Sequence, residues 1–144
     1  MDFRHYGDAY YLRIDPGEEI VETVLGLCRR EGVQSATFSG IGGCGDAKLA
    51  VYDPDLDKFQ IETAEGMLEL VSLMGNIAVA DDGELYHHTH AMYSFKQDGA
   101  FRSFGGHLIS SVVRNIAEVE LRPVIGGVIK KKLRPGGKAG TWEF

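Results

Sequence analysis

Cysteine is scarce. Only Cys28 and Cys44 occur in 144 residues. That excludes a disulfide framework, and their separation matches no cysteine-based metal motif. Cys28 fits the buried side of a helix. Cys44 sits among glycines, where a nucleophilic role needs a neighbouring base. No apolar run is long enough to span a bilayer. The opening MDFRHYGDAYYLRI lacks the charged-then-apolar layout of a secretory signal, so the expectation is a cytoplasmic chain with no membrane partner. Positive charge is also in deficit. Lys and Arg number 15 against 21 Asp and Glu, for a net charge of -6. Such a balance is unfavourable for wrapping nucleic acid, whose binding is dominated by phosphate neutralisation. The one basic run supplies Lys130, Lys131, Lys132 and Arg134. A run of this kind is usually a solvated face. These four are nevertheless the candidate nucleic-acid contacts. Internal repeats and low-complexity segments are absent.

What is present amounts to one ordinary domain spanning residues 1–144. Its most informative stretch is YHHTHAMYSFKQDGAFRSFGGHL, Tyr86 to Leu108. Aromatic and β-branched residues at 86–95 suit a strand. Asp98-Gly99 is a strong two-residue hairpin signal, because a type I′ turn needs φ > 0 at both positions. Counting outward from that turn sets His90 opposite His107, where Cβ atoms are about 4.5–5.5 Å apart. His88 shares the face of His90, since side chains alternate along a strand. Three imidazoles then converge, which is the donor set of a site for a divalent first-row ion such as zinc, with one position left for water or substrate. A bulge at Gly105-Gly106 would shift the register and move His107 off that face, leaving three ordinary strand histidines. His87 points the other way with no evident partner, and His5 carries no assigned role.

Elsewhere the pattern is mostly strands. Tyr10 to Ile14 reads as a strand. Asp15-Pro16-Gly17-Glu18 then reads as a helix start, with Asp15 as N-cap, Pro16 at the first helical position and Glu18 as the capping-box carboxylate. Ile20, Val24 and Leu27 continue at helical spacing, and Gly32 is the expected left-handed stop. After a strand at 34–39 comes GIGGCGD, Gly40 to Asp46. A phosphate-binding loop needs a helix beyond it. Lys48 to Asp53 alternates as a strand instead, so the glycines read as a tight connection. Pro54 to Asp57 is a turn and Lys58 to Thr63 a half-exposed strand. Gly66 to Ala80 reads as a long strand bent at Gly75-Asn76, with a buried helix as the alternative. A further strand, Ala117 to Leu121, contains Glu118, which is either a surface charge or an outer partner orienting a histidine. Pro135-Gly136-Gly137 reads as a turn before a closing strand at 141–144. The sum is an α+β fold: a mainly antiparallel sheet with one principal N-terminal helix packed on it. One helix cannot cover both faces, which points to contacts between copies.

With these motifs in order, the chain resembles the PPC (plants and prokaryotes conserved) domain, also called a domain of unknown function. LRIDPGEEI, TFSGIGG, EGMLELVSLMGNIA, HTHA, GGHL and AEVEL carry the likeness over nearly the whole length. The resemblance implies a PPC-like α+β domain that assembles as a homotrimer. Some members hold a metal at positions matching His88, His90 and His107. Stand-alone prokaryotic members often bear a DNA-binding label transferred from plant proteins, whose AT-hook grips the minor groove. This sequence has no AT-hook; Arg134-Pro135-Gly136-Gly137-Lys138 lacks its Arg-Gly-Arg-Pro core. Three functions follow as expectations. The first is a homotrimeric metal- and ligand-binding module. The second is a regulator contacting DNA or a DNA-binding partner. The third is a metal-dependent hydrolase or hydratase, for which Glu84 and Glu118 are the only candidate bases.

Overall fold

The computed structural model describes residues 1–133 and 140–144. Arg134, the turn expected at Pro135-Gly136-Gly137 and Lys138 lie outside the described residues. In chain order the elements are β1 (Asp2–Tyr6), β2 (Ala9–Ile14), α1 (Ile20–Glu31), β3 (Ala36–Asp53) and β4 (Lys58–Val79). These are followed by β5 (Leu85–Gln97), β6 (Ala100–Ser110), β7 (Val113–Pro123), β8 (Lys130–Leu133) and β9 (Gly140–Glu143). β3 pairs with β4 along its length, β4 with β5, β5 with β6, and β6 returns to β3 at Lys48–Ala50. These four strands therefore close into a barrel-like ring. β7 takes the remaining edge of β3, β2 and β1 extend from β7, and β8 and β9 extend from β4. Every pairing is antiparallel except the single parallel contact of β4 with β8. The expected mainly antiparallel sheet with one principal helix is what forms.

The helix starts later than the capping pattern indicates. Residues 17–20 are tied by backbone hydrogen bonds to the segment that leads into β7. The Gly17 N–H donates to the Val113 carbonyl, Val113 N–H to Glu18, and Ile20 N–H to Ser111. Glu19, not Asp15, is the N-cap; its carboxylate accepts the Glu22 N–H at 2.7 Å. Glu18 instead closes the preceding turn by accepting from the Asp15 N–H. The expected end is found, with Gly32 left-handed at φ 69. The helix buries Ile20, Val24 and Leu27 in the same core as Leu49, Leu73 and Tyr93.

The glycine-rich segment is not a connection between strands. β3 runs through it, with register shifts between Gly40 and Gly42 and between Cys44 and Asp46. Glycine is needed there because β7 lies close: a Cβ on Gly42 would stand 2.7 Å from the Ala117 Cα. The 66–80 segment is strand up to Val79 rather than helix, and it is not broken at Gly75-Asn76. Pairing is regular there, and the irregularity against β5 falls between Leu70 and Ser72. Gly75 leaves room for the Phe38 ring, whose Cζ would lie 2.3 Å from an added Cβ.

Candidate metal centre

The Asp98-Gly99 turn forms as expected, with φ 50 and 79. β5 and β6 then pair without a bulge from Gln97↔Ala100 up to His90↔His107. Along β5, Thr89, Ala91 and Tyr93 point inward and are buried. His88 and His90 point outward and are exposed, and His107 is half-buried on the same face. The register that carries the site is thus set by one turn and by inward burial of alternate residues.

The three imidazoles lie together. Ring centroids of His90 and His107 are 4.2 Å apart, and His88 is 5.1 Å from each. One nitrogen of each ring falls within 4.8 Å of the others. The Nε2 atoms of His88 and His90 are 3.3 Å apart. In tetrahedral zinc coordination with Zn–N near 2.0–2.1 Å, two ligand nitrogens are about 3.3 Å apart. Spacing and donor type fit such an ion. Partial desolvation by its neighbours holds the His88 pKa below the ordinary imidazole value, helped by the charges of His90, Lys131 and His87. The His107 pKa is lowered too, again mainly by burial and then by His90 and His88. Both shifts favour the neutral imidazole, the form that donates to a metal.

The surroundings are apolar and aromatic. Met74 stands opposite His90 and Asn76 opposite His88 on β4. Phe59 meets His107 edge-on at 5.3 Å, with Tyr52 edge-on to Phe59 in turn. On the other side the Trp142 Nε1–H donates to the Asn76 Oδ1 at 3.3 Å. A Cβ on Gly106 would be 2.7 Å from the Ala50 carbonyl oxygen, so the glycine before His107 lets β6 close against β3.

Other expected residues are placed differently. Glu118 is exposed on β7, opposite Arg13 and Ile41. Only β3 lies between β7 and the His107 strand, but Glu118 faces Ile41 whereas His107 faces Ala50, nine residues or about 30 Å further along β3. Within this chain Glu118 does not orient a histidine. Glu84 is exposed in the turn that precedes β5. His87 does have a partner: its Nδ1 is 3.0 Å from the buried Thr89 hydroxyl. His5 stacks on Tyr10 with centroids 4.2 Å apart. Cys44 is fully buried, and desolvation pushes its thiol pKa up, the opposite of what a nucleophile requires.

The basic run is not a uniform solvated face. Lys130 pairs with Asp81 at 3.3 Å and Lys132 with Glu143 at 3.4 Å. Lys131, between them, faces the other way, on the Trp142 side of the β8–β9 pair, and is buried, and burial lowers its pKa. Sequence reasoning missed Lys131, Trp142, Asn76 and Phe59 as neighbours of the histidines. For Lys131 the signal was available: three successive strand residues cannot all face solvent on one side.

Comparison with known proteins agrees with this fold. The family model of the Plants and Prokaryotes Conserved (PCC) domain matches residues 1–125. A plant- and prokaryote-conserved protein from Pyrococcus horikoshii is 30% identical, at TM-score 0.80, over 99% of this chain and 95% of that one. A metal-containing protein from Archaeoglobus fulgidus is 26% identical at TM-score 0.80, covering 100% and 99%. A candidate DNA-binding protein from Bacteroides thetaiotaomicron is 23% identical and shares the fold at TM-score 0.86, covering 99% and 96%. No curated protein matches the chain.

Proposed function

The chain belongs to the Plants and Prokaryotes Conserved (PCC) domain family, and on that basis we propose that it is a homotrimeric metal- and ligand-binding module. His88, His90 and His107 hold one divalent ion, zinc by donor chemistry. The observation that carries this is the gathering of three outward imidazole nitrogens within 4.8 Å on an unbulged hairpin. The metal content of the Archaeoglobus fulgidus neighbour supports it. When bound, such an ion supplies a Lewis-acidic centre with a coordination position left for a ligand. The chain's own residues do the rest. Gly106 lets His107 approach β3, Asn76 anchors Trp142 beside His88, and Phe59 walls the opposite side.

The trimer is supported by the exposed apolar side chains of Ile41, Val71, Met74 and Met92, since such residues in number mark contact surfaces. Light scattering on the purified chain tests it, and a monomeric mass would end that part of the proposal. Elemental analysis tests the ion. About one equivalent per chain is expected in the wild type and none in the His90→Ala variant. Equal metal content in the two proteins would reject the assignment.

A further inference from the structure

The histidine cluster is electrically unbalanced. Three neutral imidazoles leave a divalent ion its full double charge, and among the described residues no carboxylate or thiolate joins the group. A site built this way attracts an anion.

Lys131 makes the case sharper. It is only 8% exposed, and no carboxylate among the described residues pairs with it, although Lys130 and Lys132 each have one. Burial of the side chain disfavours the charged ammonium, and no counter-ion among the described residues offsets that cost. Its placement relates it to the histidines. Lys131 stands opposite Trp142 across β8 and β9, Trp142 reaches Asn76, and Asn76 stands opposite His88. The walls are apolar rings, Trp142 and Phe59, each close to half exposed.

We propose that the metal centre and the Lys131 ammonium together form a receptor for a small organic acid, the carboxylate held between ion and ammonium and the apolar body against Trp142 and Phe59. This rests on the metal reading above and adds to it the class of ligand.

The test uses the full chain loaded with cobalt(II), whose visible absorption reports its ligands. Benzoate is the probe, and benzamide is the uncharged control of similar shape. Benzoate is expected to shift the cobalt spectrum saturably, and benzamide is not. Lys131→Met should keep its cobalt, melt no lower than the wild type, and bind benzoate at least about tenfold more weakly, as expected for a lost charge-assisted contact. Lys131→Arg should stay within about threefold of the wild type, because the charge is kept. Unchanged benzoate affinity in Lys131→Met, or equal responses to benzoate and benzamide in the wild type, overturns the proposal while leaving the metal centre standing. Inorganic phosphate binding more tightly than benzoate also overturns it, because the site is then a simple anion site. Failure to retain cobalt at all removes both readings together.

Discussion

Gly106 and Ala50 approach so closely that a methyl group on Gly106 would sit 2.7 Å from the Ala50 carbonyl oxygen and 2.9 Å from a Val51 methyl. The contact is backbone to backbone, so neither side yields cheaply. It joins β6 to β3 one residue before His107 and thereby sets how deep that histidine lies. Gly106→Ala is expected to cost about 1–3 kcal/mol as overpacking and to weaken metal binding by displacing His107. Denaturant midpoints and a metal titration on the same variant check both effects. A variant with wild-type stability and wild-type metal affinity would show that the contact does not position the ligand.

Acidification should act on the site and on the fold in the same direction. His87, His88 and His107 all have pKa values lowered, chiefly by burial. The unfolded chain therefore binds protons more readily than the folded one. The stability these groups contribute is fully present above the unfolded value of about 6.5 and is lost as pH falls through the lower folded values. Chelator-treated protein should melt at a constant temperature from about pH 8 to pH 7 and progressively lower below about pH 6.5. Metal-loaded protein should melt higher at neutral pH and converge on the metal-free curve as protons displace the ion. A melting temperature that rises between pH 6.5 and pH 5 would contradict the assigned direction.

The lysines at the end of the chain separate two functions by experiment. Lys130 and Lys132 are exposed and already paired, and the chain carries a net charge of -6. We expect no retention on duplex DNA at low salt, and we expect Lys130→Ala and Lys132→Ala each to change stability by less than about 1 kcal/mol. Salt-dependent retention that disappears in the double variant would establish a nucleic-acid contact at these residues.

The histidine hairpin was legible because its determinants are local. Asp98-Gly99 specifies a two-residue turn, and alternation then dictates which side chains share a face. The helix was legible in its apolar spacing and its Gly32 stop. Its start was not, because residues 17–20 are tied by backbone hydrogen bonds to Ser111 and Val113, more than ninety residues further along the chain. The glycines between Gly40 and Asp46 look like a loop in one dimension. They are strand residues, and at Gly40 and Gly42 the missing side chain admits β7, a neighbour that local pattern cannot reveal.

The sequence by itself determined the strand-rich α+β class, the family likeness and the facing of His88, His90 and His107, since period-two alternation and turn chemistry act over a few residues. Only the tertiary structure decided what surrounds them. Ring closure among β3, β4, β5 and β6 carries Phe59 to one side of the cluster, and the pairing of β8 and β9 beside β4 carries Trp142 and the buried Lys131 to the other. It also leaves Glu118 at the opposite end of β3 from the cluster. These juxtapositions depend on contacts between residues far apart in the chain, where burial and charge are properties of the assembled sheet and not of any short segment.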